Sequence, residues 1–135
     1  TGMSTKTDAP SQPSLEQVLD DASLRVEAVV PLRPCVLRAP SESPDADLLD
    51  AAQAAGMQTV SWSVDSDDGD GTPEEIAQRV LEQVRRGAVV RMHDGGGVRW
   101  PTVQALPLIL AELGARGFDA VTVSELLLAE PSRAR

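Results

Sequence analysis

The sequence predicts an α/β fold of parallel β-α-β units. Three observations carry that expectation. Short apolar runs alternate with amphipathic stretches of about 10–15 residues, the pattern of strands joined by crossover helices. Helix-starting and helix-stopping residues punctuate the alternation at regular intervals. The charged and polar residues with chemical potential gather where the apolar runs end, and such folds place their chemistry at the carboxyl ends of parallel strands.

In chain order, residues 1–13 are Ser, Thr, Pro, Asp and Lys without apolar periodicity and read as a disordered tail. Ser14 reads as an N-cap, with Leu15, Val18, Leu19 and Ala22 on one helical face. Leu24 to Val30 fits either a continued helix or an alternating strand. Cys35-Val36-Leu37 is a short strand leading into Arg38-Ala39-Pro40. Ser43 as N-cap and Pro44 in the first turn open a helix with Leu48, Leu49, Ala52 and Ala55 inward and Gly56 as its stop. Thr59 to Val64 is the next strand, running into the acidic loop Asp65 to Gly71. Thr72-Pro73-Glu74-Glu75 starts a helix with Ile76, Val80, Leu81 and Val84 inward, Arg85 and Arg86 in its last turn and Gly87 after it. Val89 to Met92 is a strand ending at His93. Pro101 opens a helix to Arg116, with Val103, Leu106, Leu110 and Leu113 inward, Pro107 inside it and Gly117 at its end. Phe118 to Val123 reads as a last strand and Ser124 to Leu128 as a short final helix.

Length and composition bound the function. At 135 residues the chain is one domain by size, residues 14–130 after the tail. With two Trp, one Phe and no Tyr, its core must be Leu, Val and Ala. A net charge of −9 argues against a nucleic-acid partner, which needs a basic face, and against an anionic membrane surface. No apolar run approaches membrane-spanning length. One cysteine, Cys35, permits neither an internal disulfide nor a Cys-based zinc site. Thr1-Gly2 before Met3 reads as a cloning scar, and the polar start as that of a short cytoplasmic protein.

The candidate site centres on His93, the only histidine, followed by Asp94 and three glycines. Its unperturbed pKa lies near neutrality, which suits an acid or base at a strand end. A carboxylate beside it would fix its tautomer and raise its basicity, and Asp65 is the first choice. Strand alternation puts Arg91 on the side of His93, where an Arg needs a partner, either a bound anion or the acidic loop. The acidic loop itself lacks EF-hand register, since Gly71 at the sixth position puts Ala77 where a bidentate Glu is required. Gly95-Gly96-Gly97 is not a phosphate loop, as no Gly-Lys-Ser/Thr follows. Trp62 and Trp100 are expected to line a pocket or pack in the core.

The order of these motifs resembles the polysaccharide deacetylase family, the NodB homology domain of carbohydrate esterase family four. Arg38-Ala39-Pro40 is similar to its Arg-Pro-Pro motif. Trp62-Ser63-Val64-Asp65-Ser66-Asp67-Asp68 is similar to its Trp-Ser-x-Asp-x-x-Asp motif, and Val90-Arg91-Met92-His93-Asp94 to its Leu-x-His-Asp motif. Thr102 to Pro107 and Gly117 to Leu126 resemble its last helix and strand. The likeness covers about residues 15–128 and only the carboxyl-terminal half of the family. Arg91 stands where the family has a pocket Leu, and Gly69 where it has a Trp. The family's early Asp-Asp and paired-His motifs have no counterpart, and one histidine cannot build its zinc site.

The resemblance implies a half-barrel, the second half of a distorted (β/α) deacetylase barrel. Four strands do not close, so a homodimer of half-barrels is expected to cover the open edges. It makes His93 the general acid, Asp65 or Asp68 the residue that orients it, and Arg38 the partner of a base that is absent. The candidate catalytic residues are therefore His93, Asp65 and Arg38. Arg91, Asp68, Trp62 and Trp100 are the candidate substrate-binding residues. No metal and no cofactor are expected. The function that follows is a repurposed, metal-independent acid/base enzyme acting on a small molecule, in specialised metabolism. A non-catalytic binding or scaffold remnant, and a carbon–nitrogen hydrolase completed by a partner chain, are the alternatives.

Overall fold

The computed structural model describes residues 13–39, 41 and 43–129. The predicted tail therefore lies outside the described residues but for Pro13, as do Pro40 of the Arg38 motif and residue 130. The chain forms two compact units, divided between Val60 and Ser61.

The first unit contains α1 (Leu15–Glu27), β1 (Val36–Arg38), α2 (Ala46–Ala54) and β2 (Gln58–Val60). Ser14 caps α1 with a capping box, its hydroxyl accepting from the Gln17 N–H while the Gln17 side chain accepts from the Ser14 N–H. The ambiguous stretch resolves as helix as far as Glu27. Of the expected inward face only Leu19 is buried, with Leu15 and Val18 exposed. The cap of α2 is Asp45, not Ser43, because its carboxylate reaches the Leu48 N–H at 2.9 Å. Gly56 follows the helix with φ +73°, the left-handed stop expected of it. β1 and β2 pair in parallel, Leu37 beside Thr59. The core under them is small: Leu19, Ala51, Ala52 and Met57, with Leu49 left outside at 41 % exposure.

The second unit contains β3 (Val64–Asp65), α3 (Pro73–Gln83), β4 (Val90–Arg91), α4 (Trp100–Ala115) and α5 (Val123–Leu128). The single strand expected over residues 59–64 is two strands, β2 and β3, which belong to different two-stranded sheets. β3 and β4 pair in parallel with Val64 beside Val90 and Asp65 beside Arg91. Thr72 and Glu75 form the capping box of α3, and Pro73 occupies its first turn. That helix ends at Gln83, before Arg85 and Arg86. Val64, Ile76, Ala77, Val80, Ala105 and Ile109 make the core, with α3 packed along α4. Fully burying a side chain such as Ile76 contributes roughly 2–3 kcal/mol.

Two expectations here are corrected. The buried face of α4 is Thr102, Ala105 and Ile109, whereas Val103, Leu106 and Leu110 are about half exposed. Residues 118–122 form no strand and run irregularly into α5, which Thr122 and Glu125 cap reciprocally. Phe118, Val121 and Leu126 instead wall an apolar cavity of about 390 Å³ with Leu106, Leu110 and Met92.

Candidate functional site

The second unit brings the tips of β3 and β4 together, and the parallel register decides which side chains meet. Asp65 and Arg91 are direct neighbours across the ladder, and Ser66 N–H continues it to the Arg91 carbonyl. The Asp65 carboxylate accordingly forms an ion pair with the Arg91 guanidinium. That guanidinium also lies over the Trp62 ring, 4.3 Å from its centroid. Of the two partners expected for Arg91, the structure adopts the acidic loop.

Past Asp65 the chain reverses. The Asp65 carboxylate accepts the Asp67 N–H at 3.1 Å, and Asp67 takes φ +45°, a left-handed conformation that Asp tolerates. Arg79 of α3 fixes the loop from outside, donating to the carbonyls of Ser66, Asp67 and Asp70 at 3.0, 2.9 and 2.7 Å. Gly71 has φ +101°, a backbone conformation that side chains strain, and a Cβ there would also press on the Glu75 carboxylate at 3.0 Å and on Arg79 at 3.2 Å. The reversal turns Asp68 back toward β4.

There Asp68 takes His93. The His93 ring Nδ1 lies 2.7 Å from Asp68 Oδ1, and the His93 N–H donates to Oδ2, also at 2.7 Å. The Thr102 hydroxyl donates to the same Oδ2 at 3.0 Å. The expectation that Asp65 orients His93 is corrected: register gives Asp65 to Arg91, and the loop reversal delivers Asp68. The Asp68 side chain is 1 % exposed and that of His93 37 %. Burial pushes the Asp68 carboxyl up, but hydrogen bonds from the His93 ring, the His93 N–H and the Thr102 hydroxyl outweigh it. They bring the pKa from its ordinary 3.8 down to about 2. At neutral pH Asp68 is therefore an anion, and Nδ1 carries the proton that faces it. The ring's other nitrogen, Nε2, has no hydrogen-bond partner among the described residues, on a half-open side chain.

Arg38 ends β1 in the first unit. Trp62 is partly buried under Arg91. Trp100, at the first turn of α4, is 71 % exposed. Two residues of the network went unread in the sequence, Thr102 and Arg99. Arg99 donates to the carbonyls of Gly95, Gly96 and Asp68 at 2.8, 3.3 and 3.3 Å. Thr102 carried a signal: it is one of three polar side chains in an otherwise apolar helix and shares the buried stripe of Ala105 and Ile109.

The zinc of the resembled family does not fit. The chain has one histidine, and its Nδ1 is committed to Asp68. Among the described residues no group of three or more His, Cys, Asp or Glu is placed to hold a metal.

No protein-family model matches the chain. Curated relatives do. It is 41 % identical over 97 residues to a peptidoglycan-N-acetylglucosamine deacetylase of Bacillus cereus, covering 70 % of this chain and 46 % of that protein. It is 30 % identical over 105 residues to a bifunctional xylanase/xylan deacetylase of Cellvibrio japonicus, covering 76 % of this chain and 16 % of the relative. The chain thus spans about half the length of the Bacillus cereus relative. Among solved structures, a pseudoenzyme of carbohydrate esterase family four from Bacillus anthracis superposes with a TM-score of 0.75 at 26 % identity, over 87 % of this chain and 42 % of its own. A mutant of it is described as having restored enzymatic activity. A peptidoglycan N-acetylglucosamine deacetylase superposes with a TM-score of 0.78 at 23 % identity, over 87 % of this chain and 56 % of its own, a likeness of fold. Part of the fold of the NodB-like polysaccharide deacetylases is therefore present here, in a chain homologous to them.

Proposed function

From the premise of a deacetylase-like chain without the family's metal ligands, we propose a metal-independent acid/base enzyme that removes an acyl group from a small molecule. The observation that carries this reading is the dyad: a buried, ionised Asp68 on Nδ1 and an unpartnered Nε2 on the open side of His93. That is the arrangement of a base whose tautomer is set from behind. Neutral Nε2 takes a proton from water as its oxygen bonds to the acyl carbon. The imidazolium, facing the Asp68 anion, then returns that proton to the leaving nitrogen or oxygen as its bond to the acyl carbon breaks. The products are a carboxylic acid and an amine or alcohol, and His93 ends neutral. The acyl class is suggested by the deacetylase names of the relatives.

The test is turnover of an N-acetylated chitooligosaccharide and of a chromogenic acetyl ester by the wild type and His93→Gln. Gln keeps a donor for Asp68 but cannot carry the proton. The expected loss is at least about 10²-fold; unchanged turnover would contradict the reading. A non-catalytic remnant is the second reading, favoured by the pseudoenzyme among the structural neighbours. It predicts no wild-type turnover on either substrate. Assembly is part of the proposal: the chain covers under half of the Bacillus cereus relative, and Leu15, Val18 and Leu24 are exposed on α1. A second copy completing a half-barrel would cover such surface. Light scattering would return a dimer mass, and a monomer would remove this part.

A further inference from the structure

Every donor that His93 offers Asp68 comes from one residue in a loop. The His93 N–H and its ring Nδ1 both move with the chain that leaves β4 into Asp94 and three glycines. They tie Asp68 to His93, but they do not tie the pair to the rest of the protein. The donor that does so is the Thr102 hydroxyl, 3.0 Å from Oδ2 and based on the sixteen-residue helix α4. Thr102 is 5 % exposed, on the stripe with Ala105 and Ile109 that packs into the core. Arg99, the N-cap residue of α4, supports the same point. Its guanidinium holds the Asp68 carbonyl and the carbonyls of Gly95 and Gly96.

We propose that Thr102 is a positioning residue for the His93–Asp68 pair: its hydroxyl anchors Oδ2 to α4, leaving Oδ1 aligned on Nδ1 and Nε2 as the nitrogen on the open side. The proposal rests on the acid/base reading for its purpose, and its test does not. A carboxylate held by His93 alone swings with the loop. Held also by Thr102, it presents one fixed acceptor to the ring, and the proton stays on Nδ1.

Because the chain has one histidine, imidazole nitrogen NMR of the whole ¹⁵N-labelled protein reads this tautomer without ambiguity. The wild type and Thr102→Ser, which keeps the hydroxyl, should show the neutral ring protonated on Nδ1. Thr102→Val, of nearly the same shape, should raise the Nε2–H fraction on the order of fivefold, the effect of losing one ordinary hydrogen bond. Turnover should fall about tenfold in kcat with KM little changed, and Thr102→Ser should restore it. Thr102→Ala is the second variant, since it introduces no new atoms. A wild-type tautomer in folded Thr102→Val or Thr102→Ala would overturn the proposal. So would unfolding of both, because the hydroxyl would then be holding the fold rather than the pair. A released tautomer combined with unaltered turnover would uphold the positioning role and count against acid/base catalysis instead.

Discussion

The two units contain the same device, two parallel strands joined by a crossover helix, and put it to different use. In the first, β1 and β2 rest on four buried residues, Leu19, Ala51, Ala52 and Met57, two of them alanines. In the second, β3 and β4 belong to a larger cluster, Val64, Ile76, Ala77, Val80, Ala105 and Ile109, each at most 4 % exposed. The strand tips differ more. At the ends of β3 and β4, Asp65 pairs with Arg91, and just beyond them Asp68 is held by His93 and Thr102. Holding a buried carboxylate in place takes a rigid base, and the heavier core beneath it supplies one.

The largest effect is expected from weakening the core of the second unit. Ile76→Ala should destabilise the protein by about 3 kcal/mol, since it empties a fully buried site against α4. Leu19→Ala in the first unit, whose side chain is 9 % exposed among alanines, should cost less. Equal losses in denaturant unfolding would remove the distinction between the two cores.

Next in size is the buried carboxylate. The folded pKa of Asp68 is lowered from 3.8 to about 2. Its contribution, about 2 kcal/mol, is therefore complete above the unfolded value and disappears as pH falls through the folded one. Asp68→Asn should be less stable than the wild type by about that amount at pH 7, and the gap should close between about pH 4 and pH 2. A gap independent of pH would mean that the carboxylate's charge is not what the network stabilises.

The smallest effect is expected at Ser66. It is fully buried, and its hydroxyl has no hydrogen-bond partner among the described residues. Ser66→Ala should leave stability unchanged or raise it by up to about 1 kcal/mol. A clear loss in thermal unfolding would reveal a bond that the geometry does not show.

Local chemistry made much of this legible. Ser14 as an N-cap and Thr72-Pro73-Glu74-Glu75 marked helix starts because caps act within four residues, and the structure completes both as capping boxes. Gly56 and Gly117, at φ +73° and +76°, marked helix ends for an equally local reason. What failed depended on distant partners. Residues 118–122 have strand-like apolar content, but a strand also needs a neighbour to pair with. The inward face of α4 was misplaced because Leu and Val cover nearly its whole circumference, so hydrophobic periodicity marks no side. Asp65 and Asp68 are chemically equivalent and three residues apart. Only the register of β3 on β4 and the left-handed Asp67 decide which one meets His93.

An acid/base centre in the second unit differs from a merely well-packed tip in what the loss of His93 does to turnover. Measuring His93→Gln for turnover and thermal unfolding in parallel tests it most directly. The expected result is a loss of at least about 10²-fold in kcat with a midpoint close to that of the wild type. Turnover equal to the wild type, or a wild type with no turnover to lose, would contradict it.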